Sequence, residues 1–352
     1  MKLVFSDFNE FDNQKMKDSV FLDNHSYVDS AKDCYIIDHH LCNNPEAVQK
    51  IGKNAKMMIT PTNRGSNTLM LWELYLNKQL GDTVLNANAL DWTIYTHSDA
   101  DGFFSAYVWY RLASDPSNDI DVQLAVTLGQ IADMGEVNWN VSRIGAYSLG
   151  NSKDYKSDWS KLIRILKSYF KTHGTSDLNQ PIDKMLVNNK NSVFSYRTFS
   201  DMVQVCAEKR NPFGYLEFPG MYDYHYKYLD EITKIKDKMY VQPSMSLVLN
   251  IDNVAYKTKI VFIDSPYDVS RSMIQGLQRT FNKNEAMIWG MYNHGLKKLS
   301  LHSDLYHAAF KLGVKLGGGG HNWGQDGTPL GGSLGSTMIS FDDLNKFIMD
   351  NS

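Results

Sequence analysis

Short apolar runs that stop at polar, chemistry-bearing residues organise the first part of the chain. Lys2-Leu3-Val4-Phe5-Ser6 reads as a strand ending at Asp7, and the apolar run Val20-Phe21-Leu22 ends at Asp23. Cys34-Tyr35-Ile36-Ile37 has the unbroken apolar character of a strand buried on both faces, and it runs straight into Asp38-His39-His40. Trp92-Thr93-Ile94-Tyr95 predicts another strand, followed by Thr96-His97-Ser98-Asp99-Ala100-Asp101-Gly102 and then the helix-like Phe103-Phe104-Ser105-Ala106-Tyr107-Val108. Between the last two strands, the run from Ser66 to Tyr75 predicts a capped amphipathic helix. Strands near 2–6, 34–37 and 92–96 joined through helices predict an α/β domain over residues 1–150.

The chain then changes character. A lysine-rich helix near 158–170 and a helical stretch at 221–239 carrying Tyr222, Tyr224, Tyr226 and Tyr228 predict a helical connector over 151–242. Aromatic and basic interleaving of that kind stacks bases, but tyrosines at helical spacing are more often packing. A second, smaller α/β domain is expected over 243–352. It opens with Ser244-Met245-Ser246-Leu247-Val248-Leu249 and continues with strands near 259–263 and 286–291 around a helix at 268–281. Lys298-Leu299-Ser300-Leu301-His302-Ser303 precedes a helix that leads into Gly317-Gly318-Gly319-Gly320-His321.

Composition narrows the function classes. With 352 residues, 43% of them hydrophobic, the chain suits two ordinary domains, and a net charge of −3 lacks the electrostatic footprint of a protein that coats long nucleic acid. Small or short-chain substrates are favoured. Cys34, Cys42 and Cys206 cannot all pair and lack the spacing of a zinc site, which fits a reducing compartment. Neither a signal peptide nor a transmembrane run is visible, so the expectation is a cytoplasmic protein without a membrane partner.

Chemistry collects at the strand ends. His97, Asp99 and Asp101 at alternate positions, with Gly102 at the turn, bring hard oxygen ligands and an imidazole nitrogen to one sheet edge, which is a metal-site pattern. Asp38-His39-His40 has the same grammar. Four glycines before His321 free the backbone to approach a ligand closely and put that histidine on a flexible loop. The start Gly65-Ser66-Asn67-Thr68 offers either open N–H groups for a phosphate or ordinary helix capping.

Together His97-Ser98-Asp99-Ala100-Asp101-Gly102, Asp38-His39-His40 and the glycine run ending at His321 resemble the DHH phosphoesterase superfamily with its DHH-associated C-terminal domain. The likeness covers roughly residues 1–130 and 243–352. It implies a mostly parallel-sheet catalytic domain plus a smaller α/β substrate-binding domain, as in RecJ-type exonucleases, nano-RNases and cyclic-dinucleotide phosphodiesterases. Two Mn²⁺ ions, with Mg²⁺ or Co²⁺ as alternatives, would sit about 3.5–4 Å apart and activate water. The implied metal ligands are His97, Asp99, Asp101, His39 and an isolated aspartate. Asp38 would orient an imidazole, His40 would serve the metal shell or donate to phosphate, and His321 would act on substrate from the second domain. Ser300, His302, Gly318, Gly319 and Gly320 would complete the phosphate site.

Three features depart from the family: the motif order, His302 and the passage from Asn322 to Gly332. Asp38-His39-His40 lies almost sixty residues before His97 instead of after it, which implies a circularly permuted catalytic domain. In a rival alignment Asp99 fills the fourth aspartate motif of pyrophosphatase-like members. For the isolated aspartate, Asp7 is the first choice, because Asp7-Phe8-Asn9-Glu10 resembles a pyrophosphatase segment; Asp23, sixteen residues before His39, is the alternative. His302 stands where family members carry a phosphate-gripping arginine, a role Arg271 could supply. Asn322 to Gly332 is longer than the family's passage. The implied substrates are a short oligonucleotide, a single-stranded nucleic-acid end or a cyclic dinucleotide. Inorganic pyrophosphatase or polyphosphatase activity, or non-catalytic sequestration of a nucleotide, is the alternative.

Overall fold

The computed structural model describes residues 2–5, 19–22, 35–38, 57–59, 66–80, 92–97, 99–115, 120–134, 162–170, 199–218, 220–238, 243–267, 287–305, 307–323 and 332–351. The chain is α/β and divides into two compact units, Met1–His225 and Tyr226–Ser352.

In the first unit, β1 (Lys2–Phe5), β2 (Ser19–Leu22), β3 (Tyr35–Ile37), β4 (Met57–Ile59) and β5 (Thr93–Thr96) form a wholly parallel sheet in the order β1-β5-β2-β3-β4. Parallel strands covered on both faces need apolar side chains on both sides, and Leu22, Ile36, Ile37 and Ile94 are fully buried. The last residues of the strands share one register row, Phe5, Thr96, Leu22, Ile37 and Ile59. All five strands therefore end level at the same edge. Counted from β5 as the first, the order becomes 2-1-3-4-5, one of the two common doubly wound orders, whose switch point lies between β5 and β2.

The helices here are α1 (Asn67–Leu76), α2 (Ala100–Ser114), α3 (Ile120–Met134), α4 (residues 162–170), α5 (Phe199–Glu208) and the start of α6 (Met221–Lys238). Of these α2 is buried nearly all round, which accounts for its apolar run Phe103, Phe104, Ala106, Tyr107, Val108 and Trp109. Phe103 and Phe104 meet the buried Tyr215 edge to face, at centroid distances of 5.6 and 6.3 Å. The Cys206 thiol is buried in the same core. A buried ion pair lies beside it. Arg111 of α2 donates to Asp121 of α3 through Nε at 2.7 Å and Nη2 at 3.3 Å, and the Tyr107 hydroxyl donates to the same carboxylate at 2.6 Å.

The tyrosines of α6 divide between two roles. Tyr224 packs edge to face on Tyr169 at 4.9 Å and Tyr228 is buried, whereas Tyr222 and Tyr226 are exposed.

The second unit is built on a six-stranded sheet. Its strands are β6 (Ser244–Ile251), β7 (Val254–Ile263), β8 (Ile288–Asn293), β9 (Lys298–Ser303), β10 (Gly319–Trp323) and β11 (Gly332–Met338), in the order β10-β11-β9-β8-β7-β6. Only the β7–β8 pair is parallel. Alternation along the strands feeds two cores. Ile260, Ile288, Leu299 and Leu301 pack with Ala308 and Leu312 of α7 (Ala308–Lys315) and with Leu344 and Ile348 of α8 (Phe341–Asn351). Val261, Ile263, Trp289 and Met291 pack with Tyr228, Ile232 and Ile235 of α6. The helix expected at 268–281 lies outside the described residues. No helix among those described is long and apolar enough to cross a membrane.

Two stability predictions follow from these contacts. Arg111→Ala strands the buried Asp121 charge and should cost about 3–5 kcal/mol in urea unfolding, while Tyr107→Phe costs about 1 kcal/mol. The second concerns acid. Burial and then the nearby Arg164 lower the His225 pKa, and its Nδ1 lies 3.2 Å from Ser168 Oγ. The unfolded chain then takes up the proton first, so this contribution is present above about pH 6.5 and is lost as pH falls through the folded value. The urea midpoint should drop between neutral pH and pH 5, and less steeply in His225→Gln.

Candidate metal centre

At the sheet edge, β5 is followed closely by α2. Asp99 is the N-cap of α2, its carboxylate accepting from the Gly102 N–H at 2.8 Å. The helix cap thus lies three positions beyond the strand's last residue, Thr96. That closeness requires glycine at 102: a Cβ there would stand 2.3 Å from the His97 carbonyl oxygen and 2.7 Å from Thr96 Oγ1.

Asp101, in the first turn of α2, is buried and reaches the start of another helix. Its Oδ2 accepts from the Asn67 N–H at 3.0 Å and its Oδ1 from the Thr68 hydroxyl at 3.1 Å. Ser66 caps the same helix, accepting from the Leu69 N–H at 3.3 Å and bonding Thr68 Oγ1 at 2.8 Å. Of the two readings of Gly65-Ser66-Asn67-Thr68, capping is the one seen; the Asn67 N–H is taken by Asp101 rather than open to a phosphate. Asn67 also donates from its side chain to Ser105 at 3.3 Å. Gly129 of α3 completes the seat, since a Cβ there would lie 2.2 Å from Thr68 Oγ1 and 2.9 Å from Asp101 Oδ1. Ser105 and Gly129 carry no site signal in the sequence, and Asn67 and Thr68 stand out there only as a phosphate cradle or a helix cap.

Asp38 follows β3 directly and is fully buried. His97 follows β5 in the same way, with only β2 between the two strands, so their backbones are about 10 Å apart at the edge. Asp7, Asp23, His39 and His40 lie outside the described residues, and no group of three metal-type side chains is found among those described. By residue type Asp38, Asp99, Asp101 and His97 suit a divalent cation, but among the described residues they do not gather into one group, and both Asp101 oxygens are taken up by the start of α1. The Thr96 hydroxyl at the same strand end is buried without a hydrogen-bond partner among the described residues.

In the second unit, register collects most of the expected phosphate residues. His302 of β9 pairs with Leu334 of β11, which pairs with His321 of β10, so the two histidines share one row. Two rows on, past Leu301, Gly335 and Gly320, come Ser300, Ser336 and Gly319. Arg271 lies outside the described residues.

The glycine run is a structured segment and not the flexible loop expected of it. Gly317, with φ +81°, follows the C-cap Leu316 of α7; its N–H donates to Val314 O at 2.9 Å and that of Gly318 to Gly313 O at 2.9 Å, a Schellman ending. Gly318 and Gly320 let β10 close onto β11, where a Cβ would stand 2.0 Å from Ser336 O or 1.9 Å from Leu334 O. Gly317 and Gly319 have open space beside them.

No family model and no curated protein matches the chain.

Gly102→Ala should push α2 off the strand end and cost about 1–3 kcal/mol, read as a lowered urea midpoint. Asp101→Ala removes the acceptor for two buried donors at the α1 start and should cost about 1–3 kcal/mol per donor, with Asp101→Asn restoring part of the loss.

Proposed function

We propose that the chain is a metal-dependent phosphoesterase of DHH type, with a permuted catalytic domain, that hydrolyses phosphodiester bonds of short oligonucleotides, single-stranded nucleic-acid ends or cyclic dinucleotides. The observation that carries this reading is topological. The strands leading to His97 and to Asp38 end level at one edge of a parallel sheet whose order, counted from β5, is doubly wound, and ligands of such sheets sit outside the carboxyl ends at the switch point. Counting from β5 is what a permutation of the family's motif order requires, and it supports that alignment over the rival one.

The same order bears on the isolated aspartate. The strand before Asp23 is β2, between β5 and β3, whereas the strand before Asp7 is β1, on the far side of β5. We therefore place Asp23 ahead of Asp7 as a metal ligand, with His97, Asp99, Asp101 and His39 as the others. A pair of Mn²⁺ ions bound there would neutralise phosphoryl charge and acidify water. Asp38 would orient the His39 imidazole, with His40 beside it. His321, with His302, Ser300 and the Gly318 to Gly320 backbone, would hold the phosphate and donate to it as charge develops.

A Mn²⁺-dependent hydrolysis panel of dinucleotides, single-stranded DNA, cyclic dinucleotides and pyrophosphate, resolved by chromatography, tests this. Diester cleavage that stops on chelation and is weaker with Mg²⁺ is expected. Cleavage of pyrophosphate alone would favour the pyrophosphatase reading; binding of nucleotide without turnover would favour sequestration, the reading that His302 in place of an arginine supports. Asp23→Ala should weaken Mn²⁺ binding in calorimetry more than Asp7→Ala. His321→Ala should lower turnover about 10²–10³-fold while leaving Mn²⁺ binding intact.

A further inference from the structure

The six-stranded sheet ends at β6, and that edge is open in a specific way. Ile251 and Val254 bracket the turn Asp252-Asn253, both with positive φ (52° and 64°), a type I′ hairpin in which the flanking residues form a hydrogen-bonded pair. Alternation along an antiparallel ladder then assigns Ile251, Leu249, Leu247 and Met245 to the bonds with β7. Ser244, Ser246, Val248 and Asn250 direct their N–H and C=O groups the other way, and all four are exposed, Val248 to 46%. Among the described residues nothing bonds these outward groups.

Edge strands are ordinarily protected by charges, proline, bulges or shortness. Ser244–Ile251 has none of these: it is eight residues long, carries no charge and no proline, and pairs with β7 without interruption. Its partly buried Met245 and Leu247 lie on the core face beside the opening.

We propose that β6 is a homodimer interface, pairing antiparallel with β6 of a second copy about a twofold axis at Leu247. In that register Ser246 faces Val248 of the second copy, Ser244 faces Asn250, and the outward groups of both strands form about eight hydrogen bonds. Leu247 meets its own counterpart on the core face, and Met245 meets Leu249. A second copy suits this edge because a twofold contact sets the strand against itself, and an uncharged strand meets no like charge there. The contact closes on itself, leaving a continuous twelve-stranded sheet rather than a fibre.

Sedimentation of the full chain at micromolar concentration gives the test, with circular dichroism reporting folding. The wild-type chain should be a dimer. V248P removes an outward N–H without touching the β7 ladder and should give a folded monomer. S246K/V248K sets lysine against lysine across the axis and should also give a monomer, whereas S246K/V248E sets opposite charges there and should restore the dimer. A monomeric wild-type chain, a dimer indifferent to V248P and S246K/V248K, or failure of S246K/V248E to restore pairing overturns the proposal.

Discussion

The close approach of the α2 backbone at Gly102 to the carbonyl of His97 is the constraint on which the functional edge of the first unit depends. A strand that turned into its helix through a longer loop would scatter His97, Asp99 and Asp101. Because the turn is tight, Asp99 becomes the cap of α2, and Asp101 is carried to the start of α1. Both carboxylates thereby stand at helix N-termini, where the aligned peptide dipoles favour negative charge. The fold thus gathers negative charge at a buried edge before any cation is considered.

What could be read from sequence was local. Apolar runs such as Tyr35–Ile37 and Thr93–Thr96 announce strands because both faces are covered, and Ser66 announces a helix start through its capping chemistry. The short β4 was missed, since three residues are too few to show a period. So was β11, whose Gly-Ser-Leu-Gly-Ser-Thr-Met has little strand propensity and forms because β9 and β10 pair on either side of it. The Arg111–Asp121–Tyr107 cluster was equally hidden, because only the packing of α2 on α3 makes those three neighbours.

The glycine run shows the opposite error, a legible motif given the wrong physical cause. Four consecutive glycines suggest a loop freed to cradle a ligand. In the fold, one ends a helix with positive φ and two allow a strand to close on its neighbour, so the run makes an ordered edge. Its effect on His321 is to fix a register, placing it in line with His302 through Leu334. A row of residues on a sheet positions donors more firmly than a mobile loop would.

The strand order also dictates how the first unit can assemble. Adjacent pairs β2–β3 and β3–β4 join segments close in sequence, but β1 touches the sheet only through β5, some ninety residues later. Bringing such distant segments together costs loop-closure entropy that nearer pairs avoid, so β2, β3 and β4 are able to pair first and β1 docks only once β5 is in place. The order of β1 is therefore conditional on β5, the strand that leads into His97 and Gly102. A parallel sheet tolerates this because its carboxyl ends all face one edge wherever the chain begins, so the same residues reach that edge whichever strand is synthesised last.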